Sequence, residues 1–440
     1  MFGYYLDLAF LSLKRNKVLT ALMVLAIAVG IGTSMTTLTV MHLLSGDPVP
    51  SRSGTLFYPQ VDPDPGSRDH SDPSDVMDYH SAVDLWSAAR ADRQTLITSA
   101  AVKVRAAESG LPPLMMQMLV TTADFFPMFD VPFQYGGAWQ PADDERRARV
   151  AVISAKLNNK LFGGANSVGR TLRLRDSDVR IVGVLKPWRP SPQFYEVAGG
   201  RFSNGNTATF YSKPEDVFLP FFTGMEVGDG TFGVFNCWRV PDDSGHLQDA
   251  PCNWVSVWVQ LNDAGKVRSY AHFLADYAAQ QKAAGRYAHA DNTRLPSLMQ
   301  WLDYNQVVPS DVRLQMWLAF AFLAICLFNT VGLLLAKFLR RSGEIGVRRA
   351  LGASRRAVFA QCLVEAGTIG LLGGIGGWLL TLFGLWLVRL QPAAYADLVH
   401  LDVRMFLVTF VLAIAASLLA GILPALRASR VAPGLQLKTL

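Results

Sequence analysis

The chain has 440 residues, of which 50% are hydrophobic and 17% are charged. This composition is too apolar for an ordinary soluble domain of this length, so the apolar residues must be concentrated in particular segments. The formal net charge is +6. A basic chain can indicate nucleic-acid binding, but the position of the basic residues, described below, explains the charge without a nucleic-acid partner.

Four apolar runs are long enough to cross about 30 Å of hydrocarbon. We predict membrane-spanning helices at residues 18–44, 314–336, 359–388 and 405–426. The first run follows a basic stretch, as in a cleaved signal peptide. It is longer than a signal peptide requires and lacks a convincing small-residue cleavage site before Asp47, so we predict an uncleaved anchor.

Lysine and arginine cluster at those ends of the spans that the positive-inside rule assigns to the cytoplasm. Thirteen of the 41 basic residues lie there, against two of the 35 acids, Asp7 and Glu344. The thirteen are Lys14, Arg15, Lys17, Lys337, Arg340, Arg341, Arg348, Arg349, Arg355, Arg356, Arg427, Arg430 and Lys438. The remaining 28 bases and 33 acids leave the rest of the chain slightly acidic. We therefore predict cytoplasmic termini and a large domain on the outer side.

Before the first span, apolar residues recur with an amphipathic helical pattern. They are Tyr5, Leu8, Ala9, Leu11 and Leu13. The pattern fits a short helix lying at the inner membrane surface, and it fits equally well a simple extension of the first span. Residues 1–44 thus form the first predicted region.

The region 45–313 has the composition of a globular domain and is large enough to bury its own core. It begins with VDPDPGSRDHSDPSD (61–75), which predicts a loop or flexible linker because it is rich in Asp, Pro, Gly and Ser. This run of aspartates lacks the Gly and Glu placement of a calcium loop.

Short β-branched runs and helical stretches alternate through the rest of this region. Strands are predicted within 99–107, 115–122, 148–157, 169–186 and 254–261, and helices at 152–162 and 269–281. We predict an α+β domain of two lobes: a porter-like lobe near the spans and a second lobe inserted near 131–254.

Four cysteines occur in the chain. Cys237 and Cys252 lie in a Gly/Asp/Pro-rich stretch on the predicted outer side, where oxidising conditions favour a disulfide, although two free thiols or a metal site are alternatives. A bridge closing a loop of this size would contribute roughly 3 kcal/mol in the chain-entropy model. Cys326 and Cys362 are predicted to be small packing residues in the spans.

Sequence signatures of catalysis are lacking. No G-x-x-x-x-G-K-[ST] motif is present, so this chain cannot bind ATP by that route. No G-x-S-x-G or H-E-x-x-H motif and no clustered His/Cys ligand set occurs either. The sequence therefore predicts a non-enzymatic chain with no metal site and no cofactor of its own.

Few polar residues interrupt the spans. Glu365 is the single acid within them, near a cytoplasmic end, where it could reach the interface or an arginine such as Arg355. Asn329 is predicted to supply a helix–helix hydrogen bond. The third span contains two small-xxx-small pairs that predict close helix packing, within the chain or between two copies. They are Gly370 with Gly374, and Gly373 with Gly377.

Residues 340–358, RRSGEIGVRRALGASRRAV, form a basic segment between the second and third spans. It reads as a short helix with Ser342 as the N-cap and Gly352 as the stop. Glu344 stands four residues before Arg348, which is an ion-pair spacing. Val347, Ala350 and Leu351 would form a small apolar strip. The caps and the strip suit a helix presented to a partner, whereas a plain basic loop would need neither.

This segment and its continuation, RRSGEIGVRRALGASRRAVFAQCLVEAGTIGLLGGIGG, resemble the signature between the second and third spans of the MacB/FtsX-type family of ABC transporter permeases. The ending LPALRASRVAPGLQLK is similar to that family's C-terminal motif. VTTADFFPMFDVPFQYGGAW, ARVAVISAKLNNKLFGGANSVGRTLRL and RIVGVL resemble the periplasmic core domain of MacB-like members. The resemblance covers nearly the whole chain.

The resemblance implies a permease subunit without a fused ATPase, with an FtsX-like permease domain at 314–440. Such a subunit dimerises with a second copy or a paralogue, and a separate ABC ATPase subunit binds ATP and Mg. The family's spans move the outer domain rather than conduct substrate, a mode called mechanotransmission. The implied ATPase-coupling helix comprises Glu344, Ile345, Gly346, Val347, Arg348, Arg349, Ala350, Leu351 and Gly352.

The resulting hypothesis is a permease of the bacterial inner membrane. It would take part in efflux of a peptide, antibiotic or other small molecule from the periplasm, with an adaptor protein and an outer-membrane channel. Two alternatives stay open: lipoprotein extraction of the Lol type, and FtsX-like signalling to a cell-wall hydrolase.

Overall fold

The computed structural model describes residues 2–66, 72–106, 111–234, 236–243, 245–399 and 403–430. The chain forms two compact units. One comprises residues 1–45 and 308–440, which we call the membrane unit, and the other comprises residues 46–307, the outer unit.

The helices are listed first, in chain order. They are α1 (Phe2–Arg15), α2 (Lys17–Leu44), α3 (Tyr79–Ser87), α4 (Phe125–Met128), α5 (Pro141–Glu145), α6 (Ala155–Phe162), α7 (Phe221–Val227), α8 (Ala264–Ala283), α9 (Leu298–Tyr304), α10 (Ser310–Arg340), α11 (Ser342–Ala350), α12 (Arg355–Arg389) and α13 (Val403–Ser429).

The strands all belong to the outer unit. They are β1 (Leu56–Phe57), β2 (Arg93–Arg105), β3 (Leu114–Thr121), β4 (Phe133–Gly136), β5 (Val150–Ile153), β6 (Thr171–Leu174), β7 (Ser177–Leu185), β8 (Val217–Pro220), β9 (Asn236–Cys237), β10 (Cys252–Asn253) and β11 (Ser256–Gln260).

Within the described residues, four helices are long and apolar enough to cross a membrane: α2, α10, α12 and the part of α13 from Phe406 onward. The helices α2, α10, α12 and α13 contain the four predicted spans, which confirms a multi-pass membrane protein. Except at Leu44, where α2 and the predicted run end together, the helices extend beyond the apolar runs, because helical hydrogen bonding continues into the polar flanks.

The N-terminal segment is a separate helix. α1 ends at Arg15, and Asn16 leaves helical geometry with φ −121° and ψ 58° before α2 begins. Of the predicted amphipathic residues, Leu13 is buried and Leu11 is exposed. The side chains of Tyr5 and Ala9 lie outside the described set. A separate helix is the first of the two readings offered by the sequence, and its position at a membrane surface stays a prediction.

The outer unit is built on a mixed sheet, which has nine strands among the described residues. Its order is β1-β11-β2-β3-β8-β5-β7-β4, with β6 pairing to both β2 and β7. β3 runs parallel to β8 and β5 runs parallel to β7, whereas the other pairs are antiparallel. The predicted α+β class is therefore confirmed.

The core of the outer unit lies against this sheet. Helices contribute Leu85 from α3, Leu157 from α6, Phe221 from α7 and Leu274 from α8. β11 is buried along its whole length, including the polar residues Ser256 and Gln260 at its ends. The helix predicted from residue 152 begins instead at Ala155, because Ser154 caps it by accepting a hydrogen bond from the Leu157 N–H.

The segment 131–254, predicted as an inserted lobe, supplies strands β4 to β10. β8 lies between β3 and β5, so the sheet continues from one part of the domain into the other. Sequence patterns cannot predict the pairing of β3 with β8, since these strands are about one hundred residues apart in the chain.

The predicted linker 61–75 is held by a hydrogen bond at one described end and by an ion pair at the other. The prediction of a flexible linker is therefore wrong at these ends. Asp62 is buried and accepts a hydrogen bond from the Asn292 amide at 2.6 Å. Asp75 is fully buried and pairs with Arg201. The burial of the Asp75 carboxylate is offset by that guanidinium and by the Gly199 N–H.

Cys237 and Cys252 form a disulfide between the short antiparallel strands β9 and β10. The loop of residues 238–251 is closed by this bridge. Cys326 and Cys362 are free and buried in the membrane unit.

Candidate functional site

α11 is the basic helix between the second and third spans. Only Arg341 lies between α10 and α11. Its N–H still donates a hydrogen bond of 3.2 Å to the Phe338 carbonyl of α10. Ser342 is consequently the first helical residue, and its predicted role as N-cap is wrong. Glu344 in the first turn and Arg348 in the last turn have the charges that the helix dipole favours at those ends.

α11 ends just before Gly352, as the position of this glycine in the sequence predicted. Gly352 has φ +101°, a left-handed conformation that glycine adopts without strain. Its N–H bonds to the Arg349 carbonyl at 3.2 Å, and the Ala353 N–H bonds to the Arg348 carbonyl at 3.1 Å. This pair of bonds is a Schellman motif, which ends the helix. Ser354 then caps α12 through the Ala357 N–H.

An apolar strip runs along the exposed side of α11. Val347 is 45% exposed, Leu351 is 83% exposed, and Ala350 is exposed between them. Ile345 and Gly346, on the other side of the helix, pack into the membrane unit. A short basic helix with an apolar outer face has the chemistry of a protein-docking element.

A group of charged residues joins α11 to the spans, with a buried centre and a partly exposed edge. We call it the ionic cluster: Lys337, Arg341, Glu344, Arg348 and Glu365. Glu365 is 2% exposed and Lys337 is 1% exposed. The Lys337 Nζ lies 2.6 Å from one Glu365 oxygen, and the Arg341 guanidinium lies 3.2 Å from the other. Glu365 therefore pairs with these two cations and not with Arg355, the partner suggested by the sequence.

Arg341 joins the two acids of the ionic cluster. It donates two hydrogen bonds of 3.2 Å to Glu344 and also contacts Glu365. Arg348 approaches Glu344 from the other side at 3.0 Å, as the four-residue spacing predicted. The hydrogen bonds from Arg341 hold the pKa of Glu344 below its usual value. The planar guanidinium suits this shared, two-sided contact better than an ammonium group.

The ionic cluster also reaches α1. The Ser12 hydroxyl donates to Glu365 at 2.5 Å and accepts from Arg341 at 2.8 Å. Four helices, α1, α10, α11 and α12, thus meet at one network. The sequence identified Glu365 and Glu344, but it did not identify Ser12 or Lys337 as partners. The available signal was the lone carboxylate inside a span, which requires a neutralising cation.

The four glycines of α12 contact two different helices. A Cβ on Gly370 would lie 1.7 Å from Ser417 Oγ, and one on Gly374 would lie 2.8 Å from the Ala413 Cβ, both on α13. On the other side of α12, a Cβ on Gly373 would lie 2.6 Å from Ile27, and one on Gly377 would lie 3.0 Å from Ile31, both on α2. The glycines are therefore used for packing within one chain.

Asn329 does not make the predicted helix–helix hydrogen bond within this chain. It lies on the exposed face of α10, next to Phe328, which is 77% exposed. Its neighbour Thr330 is the buried polar residue and bonds to the Cys326 carbonyl at 2.8 Å. The helical rotation of about 100° per residue separates these two positions.

Among the described residues, no group of three or more His, Cys, Asp or Glu side chains could hold a metal ion. The candidate site consists of the exposed apolar strip, the basic surface of α11 and the ionic cluster.

Two domain families match the chain. A MacB-like periplasmic core domain matches residues 20–269, and an FtsX-like permease C-terminal domain matches residues 316–433.

Curated relatives have low sequence identity. The macrolide export ATP-binding/permease protein MacB of Salmonella typhimurium is 23% identical over 441 residues, covering 97% of this chain and 59% of that protein. MacB of Pasteurella multocida is 25% identical over 302 residues, covering 68% of this chain and 39% of that protein. The ABC transporter permease YvrN of Bacillus subtilis is 22% identical over 313 residues, covering 70% of this chain and 67% of that protein. The chain thus spans 39% to 59% of the length of these two MacB proteins.

Two solved structures of outer domains are similar to part of this chain. The periplasmic region of MacB from Actinobacillus actinomycetemcomitans aligns with a TM-score of 0.35 at 10% identity, covering 56% of this chain and 90% of that one. The extracellular domain of the transporter YknZ from Gram-positive bacteria aligns with a TM-score of 0.33 at 14% identity, covering 55% of this chain and 98% of that one.

Proposed function

Because the chain belongs to the family of ABC transporter permeases with a MacB-like periplasmic core domain and an FtsX-like permease domain, we propose that it converts ATP hydrolysis by a partner ATPase into movement of its outer domain. In this proposal α11 is the coupling helix, both termini are cytoplasmic, and the spans act as levers rather than as a substrate channel. This chain itself carries out no catalysis, and ATP and Mg are bound by the ATPase.

The observation that carries the proposal is the exposed apolar strip of Val347, Ala350 and Leu351 on a helix anchored by the ionic cluster. A docking helix transmits force only if it cannot rotate freely on the membrane unit. Arg341 supplies that restraint because it is bonded to Glu344 of α11 and Glu365 of α12 at once.

Two routes lead from α11 to the outer unit. One passes directly through Arg341 into α10, which continues into the outer unit at residue 307. The other passes through Glu365 into α12, whose glycines Gly373 and Gly377 pack on α2. α2 is the other span that is covalently joined to the outer unit. A displacement of α11 would therefore reach both attachment points.

Efflux is the transport task that we propose. The relatives named macrolide export proteins support export of a small molecule, which for this chain would be a peptide, an antibiotic or a similar compound taken from the periplasm. The proposed assembly contains two permease chains, identical or paralogous, a pair of ATPase subunits, a periplasmic adaptor and an outer-membrane channel.

The first experiment tests the coupling helix. Replacing Val347 by Asp puts a charge into the apolar strip, so we expect the permease-dependent stimulation of ATPase activity to fall about tenfold or more, the range for losing an interface hot spot. The assay uses the full chain in lipid nanodiscs with its ATPase. Glu344→Ala should have the same direction of effect, because α11 then loses its bonds to Arg341.

The matched control is Val240→Asp. Val240 is 84% exposed in the outer unit, so the same change there should leave ATPase stimulation intact. Full stimulation by Val347→Asp, at unchanged membrane insertion, would refute α11 as the coupling helix.

A second experiment tests the assembly. Affinity purification from native membranes should recover an ATPase together with an adaptor protein. Recovery of the ATPase with a cell-wall hydrolase, or with lipoproteins and no adaptor, would replace efflux by signalling or by lipoprotein extraction.

A further inference from the structure

The outer unit contains a cleft of about 580 Å³ in the part of the domain formed by β5, α6, β7 and the segment before β8. Its lining comes from the start of α6, from the end of β7 with the turn after it, and from residues 213–216. This volume is in the range of small-molecule sites.

One wall of the cleft is apolar and rigid. Trp188 is half-buried, and its ring is stacked on the buried Tyr195 with a centroid separation of 5.8 Å and an interplanar angle of 7°. Phe125 packs edge-on against Trp188 at 6.1 Å. Leu185 and Pro214 extend the apolar surface. A fixed indole ring of this kind can stack against a planar ligand at low entropic cost.

Four basic side chains, Lys156, Lys186, Arg189 and Lys213, line the same cleft. Arg189 is held in place by a 2.7 Å hydrogen bond from its guanidinium to the Tyr211 carbonyl. Lys186 is exposed at the cleft. Basic groups beside an apolar wall create a positive potential where the local dielectric is low.

The two acids of the cleft are engaged by the protein itself. Asp216 accepts a 2.6 Å hydrogen bond from Ser154 and lies 3.3 Å from Lys156. Glu215 is buried and accepts from Gln193 at 2.7 Å and from Tyr195 at 2.9 Å. The basic side chains therefore outnumber the acids, and both carboxyl groups are occupied by internal hydrogen bonds.

The environment of Glu215 reduces its negative charge further. Burial, followed by the nearby Glu196 carboxylate, raises the pKa of Glu215 well above its usual value. Burial thereby disfavours the charged form of this carboxyl.

From these features we propose that the cleft binds a small planar aromatic molecule that carries an anionic group. The aromatic part would stack on Trp188, and the anion would be held by Lys186, Arg189 and Lys213. The inference concerns a binding site in the outer unit, and it goes beyond the proposed coupling because it does not depend on α11 or on the transport of the ligand.

A second basic groove in the outer unit provides an internal comparison. It is lined by Lys103, Arg105, Arg173 and Arg175, and none of its lining residues in the described part of the chain is aromatic. Arg175 there already donates to the Val227 and Asp229 carbonyls. Charge alone would not distinguish the two sites, so a ligand with an aromatic ring is the one that should select the cleft with Trp188.

The test measures binding of 1-naphthalenesulfonate to the full chain in zwitterionic nanodiscs by isothermal titration calorimetry, with empty nanodiscs subtracted. We expect saturable one-to-one binding. Neutral 1-naphthalenemethanol, which lacks the anion, and methanesulfonate, which lacks the ring, should each bind about tenfold more weakly or not at all, because each loses one of the two sets of contacts.

Two variants locate the site, and two serve as matched controls. Lys186→Glu and Trp188→Ala should each weaken binding of 1-naphthalenesulfonate about tenfold or more. Lys160→Glu lies on α6 outside the cleft, and Lys103→Glu lies in the second groove, so both should bind as the unaltered chain does. A thermal melt of each variant checks that the outer unit is folded.

Three outcomes would overturn the proposal. They are no saturable binding, equal binding by Lys186→Glu and the unaltered chain, and tighter binding of octanoate than of 1-naphthalenesulfonate. The last would assign the cleft to acyl-chain anions. Loss of ATPase coupling in Val347→Asp with normal ligand binding would separate this site from the coupling helix.

Discussion

At the scale of residues, the most consequential arrangement is the pairing of Glu365 with Lys337 and Arg341. Each charge is costly to bury alone, and the three are tolerated together because their attraction and the Ser12 hydroxyl offset the lost hydration. The geometry makes each member of the ionic cluster dependent on the others.

Replacing Glu365 by Gln should destabilise the membrane unit, because Lys337 is left buried without a counter-charge. Breaking a buried pair in this way costs about 3–5 kcal/mol in soluble proteins. We expect a lower melting temperature of the nanodisc-embedded chain. The exposed Glu145→Gln is the control, and adding Lys337→Met to Glu365→Gln should restore part of the loss. An unchanged melting temperature would show that the pair is dispensable.

Asp144 supports a prediction about pH. Burial raises its pKa to about 7, although the Ala123 N–H and the Trp139 indole N–H both donate to it. The pKa of an unfolded aspartate is about 3.9. Between these values the folded chain keeps a proton that the unfolded chain has released. The stability from the protonated group is therefore present at low pH and is lost as the pH rises through about 7.

The expected result is a melting temperature of the outer unit that falls between pH 5 and pH 8, and falls less in Asp144→Asn. The slope due to this residue is at most about 1.4 kcal/mol per pH unit. Asp176→Asn, on the exposed turn between β6 and β7, should keep the slope of the unaltered chain. If the melting temperature changed with pH equally in Asp144→Asn and in the unaltered chain, the prediction would be contradicted.

At the scale of elements, α12 is the central helix of the membrane unit. Its glycines alternate between α13 and α2: Gly370 and Gly374, four residues apart, face α13, and the pair Gly373 and Gly377 faces α2. Close approach brings backbone and side-chain atoms into contact, which is the main source of helix association where lipid removes the hydrophobic driving force.

Two glycines of α12 provide a matched pair of variants. A Cβ at Gly370 would collide with Ser417, whereas one at Gly367 would lie 3.7 Å from Leu418, an ordinary contact. Gly370→Ala should therefore lower stability by about 1–3 kcal/mol, the usual cost of overpacking. Gly367→Ala should be neutral or slightly stabilising, because alanine favours the helix. The melting temperatures of the two variants in nanodiscs test this difference. Equal changes in melting temperature would argue against tight α12–α13 packing.

At the scale of the whole molecule, the distribution of charge predicts orientation. The basic flanks of the spans favour the cytoplasm, and the segment between the first two spans is slightly acidic. The four membrane-capable helices found among the described residues make an even number of crossings, so we expect both ends of this part of the chain on the same side.

Cysteine labelling in spheroplasts tests this orientation. Lys160→Cys in the outer unit should react with a membrane-impermeant maleimide on intact spheroplasts, whereas Leu351→Cys on α11 should react only after lysis. The background is low because Cys237 and Cys252 are bonded to each other and Cys326 and Cys362 are buried. Labelling of Leu351→Cys before lysis would reverse the predicted topology.

Features that depend on neighbouring residues could be predicted from the sequence. The four spans follow from apolar runs, the end of α11 from Gly352, and the Glu344–Arg348 pair from its spacing. The tertiary structure was needed to identify the partners of Glu365, the helices that each glycine contacts, the anchoring of the two described ends of the 61–75 segment and the position of β8 within the sheet. These features depend on contacts between residues that are far apart in the chain. A local sequence pattern can indicate that a charge or a small residue needs a partner, but it does not identify the partner.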